Sequence, residues 1–400
     1  MATRVAPALS GGTYAPSDPR ARGTTAVLTD PGQFAVDMFV AMNWPAQPGQ
    51  RGIPNSNGQL GQAAPAVWET LKNISEIYLP GGATPSAWET VSELPAGVTP
   101  PTVAQLQQQF GPTDSTWLHF LPQNRMIDGQ QIVDANSAVI SYDVRCNQDH
   151  FNYVVSNPAG FALYTLEGQE QALASAGFTF SFPNSAVEVK ASWRILGPKD
   201  DDSRYWTAYG AYLDASQKVV YAKIGLTGFH ISSNVAPGWV WLTYEQVDNP
   251  TATFKYFLGQ KGAAVGPNPT TNPDAAAYNQ KLQVSTTGTK WQYYQIIGWQ
   301  TAETSGTGAP VVLANTNIET YFPKTSSCMS CHAMANIGPP NHVRLDMWTY
   351  PNGGIAGRIG LIDFAAIARK LEPKLTFKQM DSVWSLREAQ STQAGAGGAK

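Results

Sequence analysis

Val187-Glu188-Val189-Lys190-Ala191-Ser192-Trp193-Arg194-Ile195 alternates between apolar and polar side chains along its whole length. In an extended chain, period-two alternation sends successive side chains to opposite faces. Val187, Val189, Ala191, Trp193 and Ile195 therefore share one face, and Glu188, Lys190, Ser192 and Arg194 the other. That pattern predicts an antiparallel strand with one buried and one solvated side. Working outward, residues 138–145, 205–213, 219–226, 239–247 and 291–299 read as further strands. Between them, Asp200-Asp201-Asp202 and Asp214-Ala215-Ser216-Gln217 read as turns, and residues 259–280 as a long surface loop.

Helical signals flank this strand-rich stretch. Asp30-Pro31 is an N-cap followed by a first-turn proline, and Phe34, Met38 and Met42 recur on related faces after it. Residues 67–78, 103–110, 149–155 and 163–174 also read as helical. The expected fold class is α+β and β-rich. An antiparallel sheet body carries N-terminal helices and a short helical C-terminal segment. Residues 1–28 read as a flexible arm, 29–300 as the body, 301–388 as the C-terminal segment and 389–400 as a disordered tail.

Composition limits the functional classes. Charged residues make up 14% of the 400, and the net charge is -3. That balance gives no reason to expect nucleic acid or an anionic membrane as partner. Hydrophobic residues reach 42%, enough for a sizeable core. No apolar run approaches the roughly 20 residues of a spanning helix, so no transmembrane segment is expected.

Two of the three cysteines fall in Cys328-Met329-Ser330-Cys331-His332. C-x-x-C-H is the attachment pattern of c-type haem. Each thiol adds to one haem vinyl group, and the adjacent histidine offers its imidazole to the iron. The reading names Cys328, Cys331 and His332 as cofactor-binding residues, with His332 the metal ligand and one covalent haem c, with its iron, as cofactor. Candidates for the sixth iron position are Met380, Met347 and His342, or none; Met334 is too near in sequence. Three alternatives stay open. A thioredoxin-like dithiol would want a strand before its C-x-x-C and a helix after it. A zinc site could draw on Cys328, Cys331 and His342 but lacks a fourth ligand nearby. Coincidence or a structural disulfide is the third.

Other candidates carry weaker signals. Cys146 reads as buried apolar filler, and His119, His150 and His230 as structural histidines. Glu245 and Asp248 could pair, though turn-capping or solvated roles are the default for both. The Asp200–Asp202 run is expected to be a solvated turn rather than a cation site. Asn73-Ile74-Ser75 fits a glycosylation acceptor fortuitously. Thr316-x-x-Glu319 is a capping-box pattern for a helix over 317–322. A further helix is expected over 362–371.

The chain resembles a family of proteobacterial proteins described as c-type cytochrome family proteins. The resemblance runs through Phe39-Val-Ala-Met-Asn-Trp-Pro45, Glu188-Val-Lys-Ala-Ser-Trp193 and Trp241-Leu-Thr-Tyr-Glu-Gln-Val-Asp-Asn249. It continues in Leu313-Ala-Asn-Thr-Asn-Ile-Glu-Thr-Tyr321 and Ser326-Ser-Cys-Met-Ser-Cys-His332. It implies one haem c held by Cys328 and Cys331 and ligated by His332. Gln246 stands where the resemblance leads one to expect histidine. The expected function is that of a monohaem c-type cytochrome, transferring one electron at a time with a redox partner protein or a small-molecule donor or acceptor. The alternative is a haem c enzyme (a peroxidase, oxygenase or small-nitrogen-compound oxidase) or a gas-binding haem sensor with an open distal site. Size motivates that alternative, since about 300 residues precede the motif. Covalent haem attachment in bacteria predicts a periplasmic or exported protein. The first ten residues lack the apolar core of a signal peptide. A processed chain or a misplaced start reconciles the two; a motif that is not a haem site is the remaining alternative.

Overall fold

The computed structural model describes residues 16–121, 139–198, 200–214, 216–249, 256–257, 260–261, 272–308, 311–319, 326–338 and 377–393. In chain order the helices are α1 (Gly23–Thr29), α2 (Pro31–Met42), α3 (Val103–Phe110), α4 (Gln148–Ser156), α5 (Leu166–Ala174), α6 (Ala275–Thr286) and α7 (Cys328–His332). The strands are β1 (Lys72–Asn73), β2 (Leu118–Leu121), β3 (Ile140–Cys146), β4 (Val187–Ile195), β5 (Thr207–Leu213), β6 (Val219–Ser233), β7 (Val240–Gln246), β8 (Tyr256–Phe257), β9 (Gln260–Lys261), β10 (Tyr294–Gln300), β11 (Asn336–Ile337) and β12 (Lys378–Gln379).

Eight strands form one sheet in the order β1-β3-β4-β6-β5-β2, with β7 added to β6 and β10 to β7. All of its ladders are antiparallel except the parallel β2–β5 pair. Long β6 organises the sheet. Residues 224–233 pair with β4, and the other edge is divided between β5 at 219–225 and β7 at 228–233. The α+β, β-rich class expected from the sequence is the observed one.

The register separates two faces of unlike chemistry. Val189, Ala191, Phe229, Ile231, Leu242 and Tyr244 lie on the apolar face, all with exposure of 0%. Phe39 of α2 packs against Phe229 and Tyr244 there, with ring centroids 5.7 and 5.2 Å away. The opposite face carries Tyr142, Glu188, Lys190, His230, Ser232, Trp241, Thr243 and Glu245. It was expected to be solvated, but Glu188, Ser192 and Arg194 are buried. The C-terminal segment covers it. Ser385 Oγ donates to Glu188 Oε2 (2.6 Å), Tyr142 Oη to the Asn317 carbonyl (2.7 Å), and Asn315 Nδ2 to the Tyr244 carbonyl (3.0 Å). Polar side chains suit this face because the covering segment is irregular and offers backbone groups that need partners. Leu313, Cys328, Met380 and Leu386 join residues of the sheet and α2 in one hydrophobic cluster, so the segment beyond 300 shares the core of the body.

Several local expectations need correction. Residues 67–78 form two 3-10 turns, Val67–Thr70 and Ile74–Glu76, around β1 rather than one helix. Glu69 and Glu76 each cap their own turn and are fully buried, which ties the backbone to short turns. Helix α6 begins inside the stretch read as a surface loop, where Ala275-Ala276-Ala277 outweighs the glycine and proline before it. Residues 16–28 of the supposed arm hold a 3-10 turn, Pro19–Arg22, and α1. Residues 389–393 of the supposed tail are placed too: Leu166 N–H donates to the Gln390 carbonyl and Ser391 Oγ to Glu167. Residues 316–319 turn without forming a helix, because Thr316 donates to Glu245 while Glu319 Oε2 accepts from Asn315 N–H. The 362–371 helix, His342 and Met347 lie outside the described residues.

Candidate functional site around Cys328, Cys331 and His332

Helix α7 is a single turn and a half lying against the polar face. Its N-cap Ser327 accepts from Ser330 N–H (3.3 Å) and from Gln300 Nε2 (3.0 Å), while Gln300 Oε1 accepts from Met329 N–H (3.1 Å). Gln300, the last residue of β10, therefore clamps the start of the helix from two sides. Residues i, i+3 and i+4 of a helix share one stripe. That places Cys328, Cys331 and His332 side by side. Both cysteines are free thiols.

His332 is the most constrained of the three. Its Nδ1 donates to the Ser382 carbonyl at 2.7 Å. This fixes the tautomer and turns Nε2, at the far end of the ring, into the free lone pair. Burial drives the imidazole pKa down to about 3, which keeps the ring neutral, the form that ligates a metal. Trp241 packs on it at 4.1 Å between ring centroids, and Trp384 meets it edge-on at 6.4 Å. Burial also lifts the thiols, with nearby Glu319 adding to the effect: Cys328 is raised well above its ordinary value and Cys331 to about 12. A redox-active dithiol requires the reverse, a stabilised thiolate. The thioredoxin-like alternative therefore fits this environment poorly.

Backbone strain is concentrated at the same place. Four non-glycine residues have positive φ among the described residues: Gln217, Trp239, Asp381 and Ser382. Gln217 belongs to a surface turn after β5. Of the other three, Ser382 supplies the carbonyl that His332 binds, Asp381 precedes Ser382, and Trp239 packs against Trp241, which lies on the His332 ring. Asp381 Oδ2 in turn accepts from Phe182 N–H (2.7 Å), anchoring the strained pair to the body. Such conformations cost about 1–3 kcal/mol each and persist where the surroundings over-determine them.

The remaining candidates separate into roles. His230 bridges Thr243 (2.9 Å) and Glu319 (3.2 Å) on the polar face. Glu245 accepts from Thr316 N–H and Oγ1 (2.5 and 3.0 Å) and so anchors the segment that leads to the cysteines, a role the sequence did not disclose. Asp248 pairs with Arg204 instead, so the two carboxylates do not form a pair. Gln246 donates to the Arg204 carbonyl and to Asp248. The acidic run disperses, Asp200 to Arg194, Asp201 to Ser203 and Asp202 to Lys223, so it does not converge on a cation. Cys146 is fully buried, with its thiol pKa raised by burial, and Asn73 is buried with Nδ2 on Asp143, which leaves no glycosylation acceptor. His150 is buried, its pKa lowered to about 3 by burial.

His119 lies across the sheet in a cluster that sequence reading missed altogether. Its ring donates to Asp143 Oδ2 (2.6 Å) and lies 2.9 Å from Glu69 Oε1. Arg145 joins Asp143 (2.8 Å) to Glu93 (2.7 Å), and Arg51 pairs with Glu76 (2.7 Å) near Lys72. The members come from five separate stretches of chain, so no local spacing could reveal them.

Among the described residues no group of three or more His, Cys, Asp and Glu is placed to hold a metal ion, and no helix is long and apolar enough to cross a membrane. His342, the third ligand of the zinc alternative, is outside those residues. No family model, curated protein or solved structure matches the chain.

Proposed function

We propose that the protein is a monohaem c-type cytochrome that transfers single electrons through a haem c held by Cys328, Cys331 and His332. The observation that carries this reading is the donor set itself. Two unjoined thiols share a helical stripe with a neutral histidine whose Nδ1 is spent on the Ser382 carbonyl, leaving Nε2 as the ligand. Bound there, haem would supply an iron that cycles between ferric and ferrous states. The chain's own contribution is to hold the imidazole orientation, to surround it with Trp241 and Trp384 and to lower the local dielectric, each a lever on reduction potential. A periplasmic or exported location follows from the same reading, as does a redox partner protein or small-molecule donor or acceptor.

A second reading is a haem c enzyme or gas sensor with an open distal site, and Met380 is the described methionine nearest in sequence to Ser382. That residue is fully buried, and its N–H donates to the Ala335 carbonyl (2.9 Å). It belongs to the stretch that runs into Ser382 and braces the Nδ1 end of the imidazole, opposite the ligating nitrogen. The sixth position would be taken by Met380, Met347, His342 or no protein ligand. Expression with a c-type maturation system, followed by spectra of both oxidation states, tests both readings. Covalent haem with a low-spin six-coordinate spectrum favours the carrier, and a high-spin five-coordinate spectrum the enzyme or sensor. Absence of haem contradicts both.

A further inference from the structure

Two ring series among the described residues bear on the site. One lies on the apolar face and links Trp206, Trp291, Phe39, Phe229, Trp68, Trp193 and His119. It ends in the buried ion cluster. The other starts at His332. Trp241 is 4.1 Å from the His332 ring, Trp239 is 6.3 Å from Trp241, Phe182 is 6.0 Å from Trp239, and Tyr153 is 4.3 Å from Phe182. Trp241, Trp239 and Phe182 are buried, while Tyr153 of α4 is half-buried and beside exposed Asn152. This second stack therefore runs from the proposed iron ligand to the surface.

Trp239 is buried in the hydrophobic core, yet it sits in a turn whose geometry ordinarily selects glycine or asparagine. It follows Gly238 in the β6–β7 connection, and both residues are left-handed, with φ of +78° and +64°. A bulky aromatic is among the least suited residues for that conformation, where Gly or Asn would relax the turn. Nor would a small residue leave the turn undocked, since Gly238 already packs against Met329 of α7. The strained backbone holds one indole between Trp241 and Phe182, closing what would otherwise be a gap in the ring series.

We propose that Trp241, Trp239, Phe182 and Tyr153 form the route by which an electron passes between the His332 site and the surface at α4. The proposal rests on the haem c reading and deepens it by assigning the path. One electron moves at a time: a redox partner at the surface is oxidised by one electron while the group at His332 is reduced by one, or the reverse. No atom or proton travels along the path. Trp241 and Trp239 are the steps able to hold a transient hole, because indole is the most readily oxidised side chain in the series apart from the phenol of Tyr153.

The test uses the full-length, haem-loaded protein. Asn152→Cys provides an exposed thiol for a photo-oxidant or photo-reductant label; Cys146 is buried and does not compete. Flash-induced electron transfer between label and haem is followed by haem absorbance. Trp239→Phe, which keeps a ring in the turn, and Trp239→Leu should each slow the transfer by about tenfold or more, equivalent to a barrier increase of about 1.4 kcal/mol. Trp291→Phe, in the separate series on the apolar face, should leave it unchanged. A second label at Val284→Cys, on exposed α6, should report rates insensitive to Trp239. Unchanged rates at position 152 in both Trp239 variants, or equal slowing from both labels, overturn the route. Failure to attach haem would instead show on a haem-stained gel before any flash, and it would strike the underlying reading rather than the path.

Discussion

Replacing His119 with glutamine should destabilise the protein in a pH-dependent way, and the buried ion cluster fixes both size and sign. Four carboxylates (Glu69, Glu76, Glu93 and Asp143) and three basic side chains (Arg51, Lys72 and Arg145) are buried together at 0–5% exposure. Charge balance requires His119 to be the fourth cation. Burial alone would lower its pKa, but hydrogen bonds to Asp143 and Glu69 outweigh that cost and raise it above the ordinary value. A glutamine keeps hydrogen-bonding capacity and removes the charge, leaving one carboxylate uncompensated in the interior. Breaking one member of a buried ion pair costs about 3–5 kcal/mol. With an unfolding entropy of about 2.1 cal/mol/K per residue over 400 residues, this predicts a fall in Tm of about 4–6 °C. A group whose native pKa is raised stabilises fully below its unfolded value, about 6.5, and loses that contribution as pH rises through the native value. The Tm difference between wild type and His119→Gln, measured by calorimetry or circular dichroism, should be largest near pH 6 and shrink at alkaline pH. Equal melting at pH 6, or a gap that widens with pH, would refute the charge-balance reasoning.

Other consequences are direct. Glu245→Ala removes the acceptor for both Thr316 donors at a buried position and should cost about 2–3 kcal/mol, with earlier proteolytic cleavage in the 313–325 region than in the body. Gly210→Ala would place a Cβ 2.8 Å from Ile224 Cγ2 between paired strands, and overpacking there should lower stability by about 1–3 kcal/mol in a denaturant melt. Gln300→Ala deprives Ser327 and Met329 of their shared clamp, and the haem-loaded variant should show a shifted reduction potential with little loss of global stability.

Legibility from the sequence followed the range of the interactions involved. The alternation of Val187–Ile195 and the Asp30-Pro31 cap are local signals, and β4 and α2 form where those signals place them. Residues 67–78 failed because their carboxylates answer to Arg51 and His119, distant in sequence. The polar side of β4 failed for a related reason. Period-two alternation separates two faces but does not say whether the polar one meets water or another part of the chain, here Asn317 and Ser385. At the site, Cys328, Cys331 and His332 were legible as a motif, whereas Ser382, Trp241, Gln300 and Glu245, which position it, come from three other segments and carry no motif of their own.

The most direct test of the central claim is the intact mass of the denatured protein after expression with a c-type maturation system, compared with a Cys328→Ala/Cys331→Ala double variant. Wild type should carry the added mass of one haem, surviving denaturation, and the double variant none. Wild type without that mass under conditions that mature a control cytochrome, or haem retained covalently by the double variant, would contradict the account.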